Sequence, residues 1–286
     1  MFTAIKALRN VKAESISPPL HPELASRSLG TASHTQIFTE EETTRFVKRC
    51  KEAKTTVTYA YIAILALAMQ DLYADESKGI PSQVFAMPYN GRRWLPAGLS
   101  PAPPHSPSLG NSNAYIKVPH SGHALRFVAS KSSENDKELR LALQAARVKR
   151  ILEFGERYKE NSLKILNSKT PDGVLASKTL VPLLVKAMEK SDPDKPTVSI
   201  FGVVSQGQLD KMFPSKANVE GSDIIVVNYQ NGGRTVDSNP LMILYTWRGR
   251  MHVRYKWNSK YFAQKTFEDI DSKTLEYLKD FVEATI

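Results

Sequence analysis

Apolar positions recur at helical spacing in the first two thirds of the chain and alternate with polar ones in the last third. Thr39 followed three residues later by Glu42, with acidic residues between them, is a capping box. Phe46, Val47 and Cys50 follow at helical spacing, which predicts a helix ending near Lys54. Thr56 to Tyr73 predicts a second helix whose middle, Ala60 to Met69, is apolar on every face; such a helix is buried on all sides. A long helix fits Asn135 to Asn161, with Leu139, Ala142, Leu143 and Ala146 on one face. Pro171-Asp172-Gly173 interrupts the chain, and Thr179 to Met188 fits a further helix with Pro182 in its first turn.

Strands are predicted at Gln83 to Met87, Asn113 to Val118, Thr197 to Val203, Asp223 to Asn228 and Leu241 to Trp247. Trp247-Arg248-Gly249-Arg250 reads as a tight hairpin connection into a strand from Met251 to Trp257. In that strand Val253, Tyr255 and Trp257 alternate with His252, Arg254 and Lys256, giving one apolar and one basic face. Asp271 or Ser272 is positioned to cap a last helix carrying Leu275, Leu278 and Val282. Ser17-Pro18-Pro19 and His21-Pro22 disfavour regular helix, so residues 1–37 read as an extended arm preceding a lobe at 38–286. The fold class is α+β: a mixed β-sheet with packed helices.

Composition narrows the function classes. The net charge of +10 over 286 residues is diffuse, without the run of Lys and Arg of a nucleic-acid arm. It fits either a solvated basic surface or one that receives phosphorylated small ligands. Cys50 is the single cysteine, which excludes an intrachain disulfide and a Cys-based metal site, and it reads as a small buried hydrophobe. No apolar stretch approaches the ~20 residues of a membrane span, and the N-terminus shows no signal-peptide pattern. A cytoplasmic protein is expected.

Common site signatures do not occur. Gly202 and Gly207 have P-loop spacing, but Gln208 stands where the phosphate-binding lysine is required. His120 and His123 form an H-x-x-H pair without a neighbouring carboxylate or thiol and read as part of a turn. Asn231-Gly232-Gly233-Arg234 could turn its amides toward an anion, although a hairpin or bulge turn more often explains paired glycines. No residue acquires a catalytic, substrate-binding or cofactor-binding assignment, and no metal is expected.

Four stretches together resemble the condensation-domain and alcohol acetyltransferase superfamily, which shares the chloramphenicol acetyltransferase fold. They are Phe38 to Cys50 with Thr55-Thr56-Val57-Thr58 and the Ala-rich helix; Met87-Pro88-Tyr89-Asn90-Gly91-Arg92-Arg93; Leu109-Gly110-Asn111 entering the strand to Val118; and Leu241 to the C-terminus, including Trp257-Asn258. The likeness is to the C-terminal half of fungal acetyltransferases of the trichothecene 15-O-acetyltransferase type. It implies CoA-dependent O-acylation of a hydroxylated terpenoid or polyketide in fungal secondary metabolism, with acetyl-CoA as cosubstrate and no bound cofactor.

The resemblance also shows what is missing. The family's base is the histidine of an H-x-x-x-D motif in its first half. Four positions after His21, His34, His105, His120, His123 and His252 stand Ala25, Phe38, Leu109, Ala124, Phe127 and Lys256, none acidic. The related D-F-G-W-G motif is absent as well. Acyl transfer then requires another histidine, with His252 the best held, or a partner chain carrying the missing lobe. The alternatives are a cofactor-free cyclase of cycloaddition type, which needs positioning more than a base, and a non-catalytic truncated remnant. A half-fold implies an exposed apolar patch and a strand at 113–118 that projects toward the absent lobe.

Overall fold

A computed structural model of the chain describes residues 16, 18–24, 26–74, 82–90, 111–119, 137–167, 201–213, 216–235 and 237–284. Its elements are β1 (Thr31–Ile37), α1 (Glu40–Glu52), α2 (Val57–Tyr73), β2 (Ser82–Asn90), β3 (Asn111–Pro119), α3 (Lys137–Leu166), β4 (Phe201–Gln208), β5 (Lys216–Val219), β6 (Ser222–Ile225), β7 (Leu241–Trp247), β8 (Arg250–Asn258) and α4 (Gln264–Glu283). Six strands form one mixed sheet in the order β1-β8-β7-β4-β2-β3. The β7–β4 and β4–β2 pairs are parallel and the others antiparallel. The expected α+β class, a mixed sheet with packed helices, is the one found.

The local signals explain most of these elements. Thr39 Oγ1 accepts from the Glu42 amide at 3.1 Å, and the Glu42 carboxylate accepts from the Thr39 amide at 2.8 Å. These bonds hold the Glu42 carboxyl below its usual range. Helix α2 is buried from Ala60 through Gln70, as its all-round apolar sequence demands. It packs against α3 and α4 and shares one core with the sheet residues Phe201, Val203, Met242, Leu244, Val253, Tyr255 and Trp257. Arg248 and Gly249 take φ of 50° and 73°, the left-handed pair that a two-residue hairpin requires. Arg147 of α3 reaches Glu276 at 2.7 Å and Asp280 of α4, closing the helix layer.

Four expectations are corrected. Residues 31–37 are not part of a detached arm: β1 pairs with β8 along its whole length. Its inward positions are Ala32, His34 and Gln36, so no apolar alternation announced it. The segment 223–228 does not join the main sheet; β6 folds back on β5 through Glu220 and Gly221 and forms a separate two-stranded ribbon. The final helix starts at Gln264 rather than at an Asp271 or Ser272 cap, because Phe267 and Ile270 continue its buried face upstream and place Asp271 inside. On α3 the packed face runs through Val148, Ile151, Phe154 and Tyr158, while Ala142 is exposed. The alternation expected along β8 is found: Val253, Tyr255 and Trp257 join the core, and the basic face is also covered, with His252 and Lys256 buried. The helix at 179–188 lies outside the described residues.

The strand expected to project toward an absent lobe is instead the edge strand of the main sheet. Strand β3 pairs with β2 at every position from Asn111 to Pro119. Among the described residues, strand β2 in turn meets β4 at Phe85–Phe201 and Ala86–Gly202, and no pairing follows beyond Ala86. Met212, Phe213, Ile224, Ile225, Val226 and Val227 are all exposed, Val227 at 75%. Among the described residues no single helix is long and apolar enough to cross a membrane.

These packing assignments separate three substitutions. Leu65→Ala in α2 is expected to cost about 2–5 kcal/mol, and Thr39→Ala about 1 kcal/mol through the lost cap. Leu141→Ala on the exposed side of α3 should stay within about 0.5 kcal/mol of the parent. Urea unfolding followed by circular dichroism reads all three, and a Leu65→Ala protein as stable as Leu141→Ala would refute the buried placement of α2.

Candidate functional site

The described residues bring one histidine and one buried carboxylate together. His34, on the helix side of β1, lies opposite Tyr255 of β8, and its Nε2 is 2.9 Å from Asp271 Oδ2 on α4. Asp271 is buried and its Oδ1 has no hydrogen-bond partner. Removal from water pushes the Asp271 carboxyl above its ordinary value, and the bond and charge of His34 act against that rise. When the Asp271 carboxyl is ionised it only accepts, and His34 then donates through Nε2. This is how an aspartate orients a general base. Tyr61 and Tyr255 border the pair with hydroxyls 3.3 Å apart, and burial pushes both phenols up, so they remain protonated.

The opposite face of the sheet holds the second cluster. His252 stacks on Tyr245, its cross-strand partner, with ring centroids 4.8 Å apart. Burial, with Arg250 adding its charge, lowers the His252 pKa and keeps the ring neutral. Lys256 Nζ donates to Asn231 O at 2.5 Å, and Tyr245 Oη donates to Tyr229 O at 3.1 Å. Asn231-Gly232-Gly233-Arg234 is therefore neither a hairpin turn nor a bulge. It belongs to an extended strap that crosses this face between β6 and β7.

The structure sorts the sequence candidates. His252 is rigidly held, as its strand position implied, but lies on the face away from His34 and Asp271. His105, His120 and His123 lie outside the described residues. His21 meets the exposed Glu23 at 2.7 Å. Cys50 is buried, and burial pushes its thiol up to about 12, which suits a core residue. Among the described residues no three His, Cys, Asp or Glu side chains are grouped to hold a metal ion. The His34–Asp271 pair had no sequence signal, because its members are 237 positions apart.

No protein-family model and no curated protein matches the chain. Solved structures do match. TRI3 trichothecene 15-O-acetyltransferase from Fusarium sporotrichioides superposes with a TM-score of 0.73 at 13% identity, over 98% of this chain and 52% of that one. SgcC5 from Streptomyces globisporus gives 0.56 at 13% identity, over 96% of this chain and 53% of that one. The EpoB cyclization-docking bidomain from Sorangium cellulosum gives 0.52 at 11% identity, over 97% and 47%. The chain thus has a condensation-domain-type, chloramphenicol acetyltransferase-like fold, and spans about half the length of these three structures.

The buried pair predicts a pH-dependent stability. A raised carboxyl pKa means that the native state holds the Asp271 proton more tightly than the unfolded chain. Stability therefore falls as pH rises from the ordinary carboxylate value through the native one. His34→Ala strands the carboxylate and should cost about 1–3 kcal/mol at neutral pH, with recovery in acid as Asp271 protonates. Adding Asp271→Asn to that variant should remove the recovery. Urea unfolding from pH 4 to pH 8 reads both effects; a His34→Ala protein with parental stability at pH 7 would show that the pair is not coupled.

Proposed function

We propose that this chain works as the C-terminal half of a two-lobed acyltransferase of fungal secondary metabolism. In this reading it forms one wall of the cavity for CoA-dependent O-acylation of a hydroxylated terpenoid or polyketide, with acetyl-CoA as cosubstrate. The observation that carries the reading is the superposition on the Fusarium 15-O-acetyltransferase, which takes in 98% of this chain and 52% of that one at a TM-score of 0.73. The exposed apolar side chains from Met212 to Val227 give a covering lobe a surface on which to pack.

The chemistry assigns the division of labour. An alcohol attacks a thioester only as its proton is removed, and a positioned base contributes about 10²–10⁴-fold. His252 is sealed against Tyr245, and His34 is bound to Asp271 between β1 and α4. In this reading the base for acyl transfer is the H-x-x-x-D histidine of a second lobe, as in the family that the chain resembles, and these residues contribute substrate positioning.

The expected outcome is that purified protein, given acetyl-CoA and a panel of hydroxylated terpenoids, releases thiol at the background rate. Addition of a lobe carrying H-x-x-x-D should raise that rate by at least about 10²-fold. Robust turnover by the chain alone that vanishes in His252→Ala would overturn the assignment of the base.

A further inference from the structure

The sequence contains two Asn-Gly pairs, Asn90-Gly91 and Asn231-Gly232. An asparagine before a glycine is open to attack by the glycine amide nitrogen at its own Cγ, since the glycine has no side chain to obstruct the ring that forms. Regular secondary structure suppresses the reaction, because it commits the amide to a hydrogen bond and holds the backbone extended or coiled. The fold treats the two pairs differently. Asn90 is held in β2, opposite Asn111 of β3. Asn231 and Gly232 lie in the strap of residues 226–235, which makes no strand ladder.

The reacting groups are unencumbered at Asn231. Among the described residues neither its carboxamide nor the Gly232 amide has a hydrogen-bond partner. Gly232 is exposed, and nothing lies within 4 Å of the point that a side chain would occupy there. Other asparagines are stopped by their surroundings. The Asn218 side chain donates to Asp223 Oδ1 at 3.1 Å and accepts from the Gly221 amide at 3.2 Å. Asn239 precedes Pro240, which has no amide proton. Asn258 precedes Ser259, whose amide donates to Gly30 O at 2.8 Å. Asn228 precedes Tyr229, whose ring packs on Tyr245 and Trp247.

A cation sits on the reacting peptide bond. Lys256 Nζ donates to Asn231 O at 2.5 Å, and this oxygen is the carbonyl of the bond whose nitrogen must attack. When the Gly232 amide loses its proton, the negative charge is shared with that oxygen. An ammonium bonded to the oxygen favours the deprotonated amide, as an opposite charge favours any anion it touches. Lys256 is buried and its Nζ lies 3.7 Å from where a Gly233 Cβ would stand, so the ammonium is seated within the strap backbone. Among the described residues it pairs with no carboxylate that would neutralise it.

We propose that Asn231 is a self-modification site, converted to aspartate and isoaspartate by attack of the Gly232 amide with Lys256 as the promoting cation. Gly232 N gives its proton to solvent and bonds to Asn231 Cγ. The Cγ–Nδ2 bond breaks, and the amine regains a proton from solvent and leaves as ammonia, so a succinimide remains. Water then opens the ring. Opening at Cγ gives aspartate; opening at the main-chain carbonyl carbon routes the chain through Cγ, which gives isoaspartate and lengthens the strap by a methylene. No oxidant, reductant or cofactor takes part. Either product places a carboxylate at the residue that holds Lys256. The inference does not depend on the acyl-transfer reading.

The test incubates the full chain at neutral pH, folded in buffer and in parallel unfolded in guanidinium chloride. Peptide mapping by mass spectrometry follows the loss of the Asn231 amide, and isoaspartyl methyltransferase with labelled methyl donor counts the isoaspartate. Folding ordinarily slows this reaction. Here the folded chain should convert Asn231 faster than the unfolded one, by about tenfold for a fall of about one in the amide pKa. Lys256→Gln should convert at the unfolded rate or below it, whether or not that variant folds. A lysine that merely fastened the strap predicts the opposite sign, because its loss would free the backbone and speed the conversion. Asn231 converting no faster in the folded chain than in the unfolded one, or as fast in Lys256→Gln as in the folded parent, would overturn the proposal.

Discussion

Helix α2 has no polar side to offer to water, and the rest of the described structure is arranged around that fact. Ala60, Ala63, Ala66 and Ala68 alternate with Tyr61, Ile62, Ile64, Leu65, Leu67 and Met69, and all are buried. The small residues allow neighbours to approach closely, while each large one contributes roughly 1.5–3 kcal/mol by leaving water. A helix of this kind needs cover on every side. The sheet supplies one side, and α3 and α4 supply others. The aromatic layer of Phe201, Tyr255, Trp257 and Phe267 fills the space between, with Trp257 and Phe267 stacked at 4.1 Å.

Strand β8 joins that core to the chemistry. One side of it, Val253, Tyr255 and Trp257, belongs to the α2 core, while the other presents His252, Arg254 and Lys256 beneath the strap. A central strand with a basic face that is also covered is unusual, since buried cations cost several kcal/mol each unless compensated. Backbone and hydroxyl oxygens supply part of the compensation. The unpartnered atoms mark where it is incomplete.

The same strand separates two histidines that a linear reading treats alike. His34 faces the helices and is bound by a buried aspartate, whereas His252 faces the strap and has none. His252 is buried, and none of the six histidines stands in an H-x-x-x-D motif, which is why the proposed function places the base elsewhere. The fold likeness covers about half of each compared structure, and Ile224 to Val227 are exposed.

The sequence by itself determined what short-range chemistry can encode. The Thr39–Glu42 cap, the buried helix α2, the Arg248–Gly249 turn and the alternation of β8 are each written within a few neighbouring residues, and all four were legible. The absence of an H-x-x-x-D motif was legible for the same reason. Only the tertiary structure decided the rest. Strand β1 is recruited to the sheet by pairing with β8, although its inward residues are Ala32, His34 and Gln36. Strand β6 is rich in β-branched residues, yet pairs locally instead of joining the sheet. Asp271 looked like a helix cap because Asp-Ser favours one, but burial of Phe267 and Ile270 carried the helix past it and set it against His34. Propensity says that a residue can be in a strand or a helix; which partner it meets depends on burial shared among distant segments, and that is not a property of any one of them.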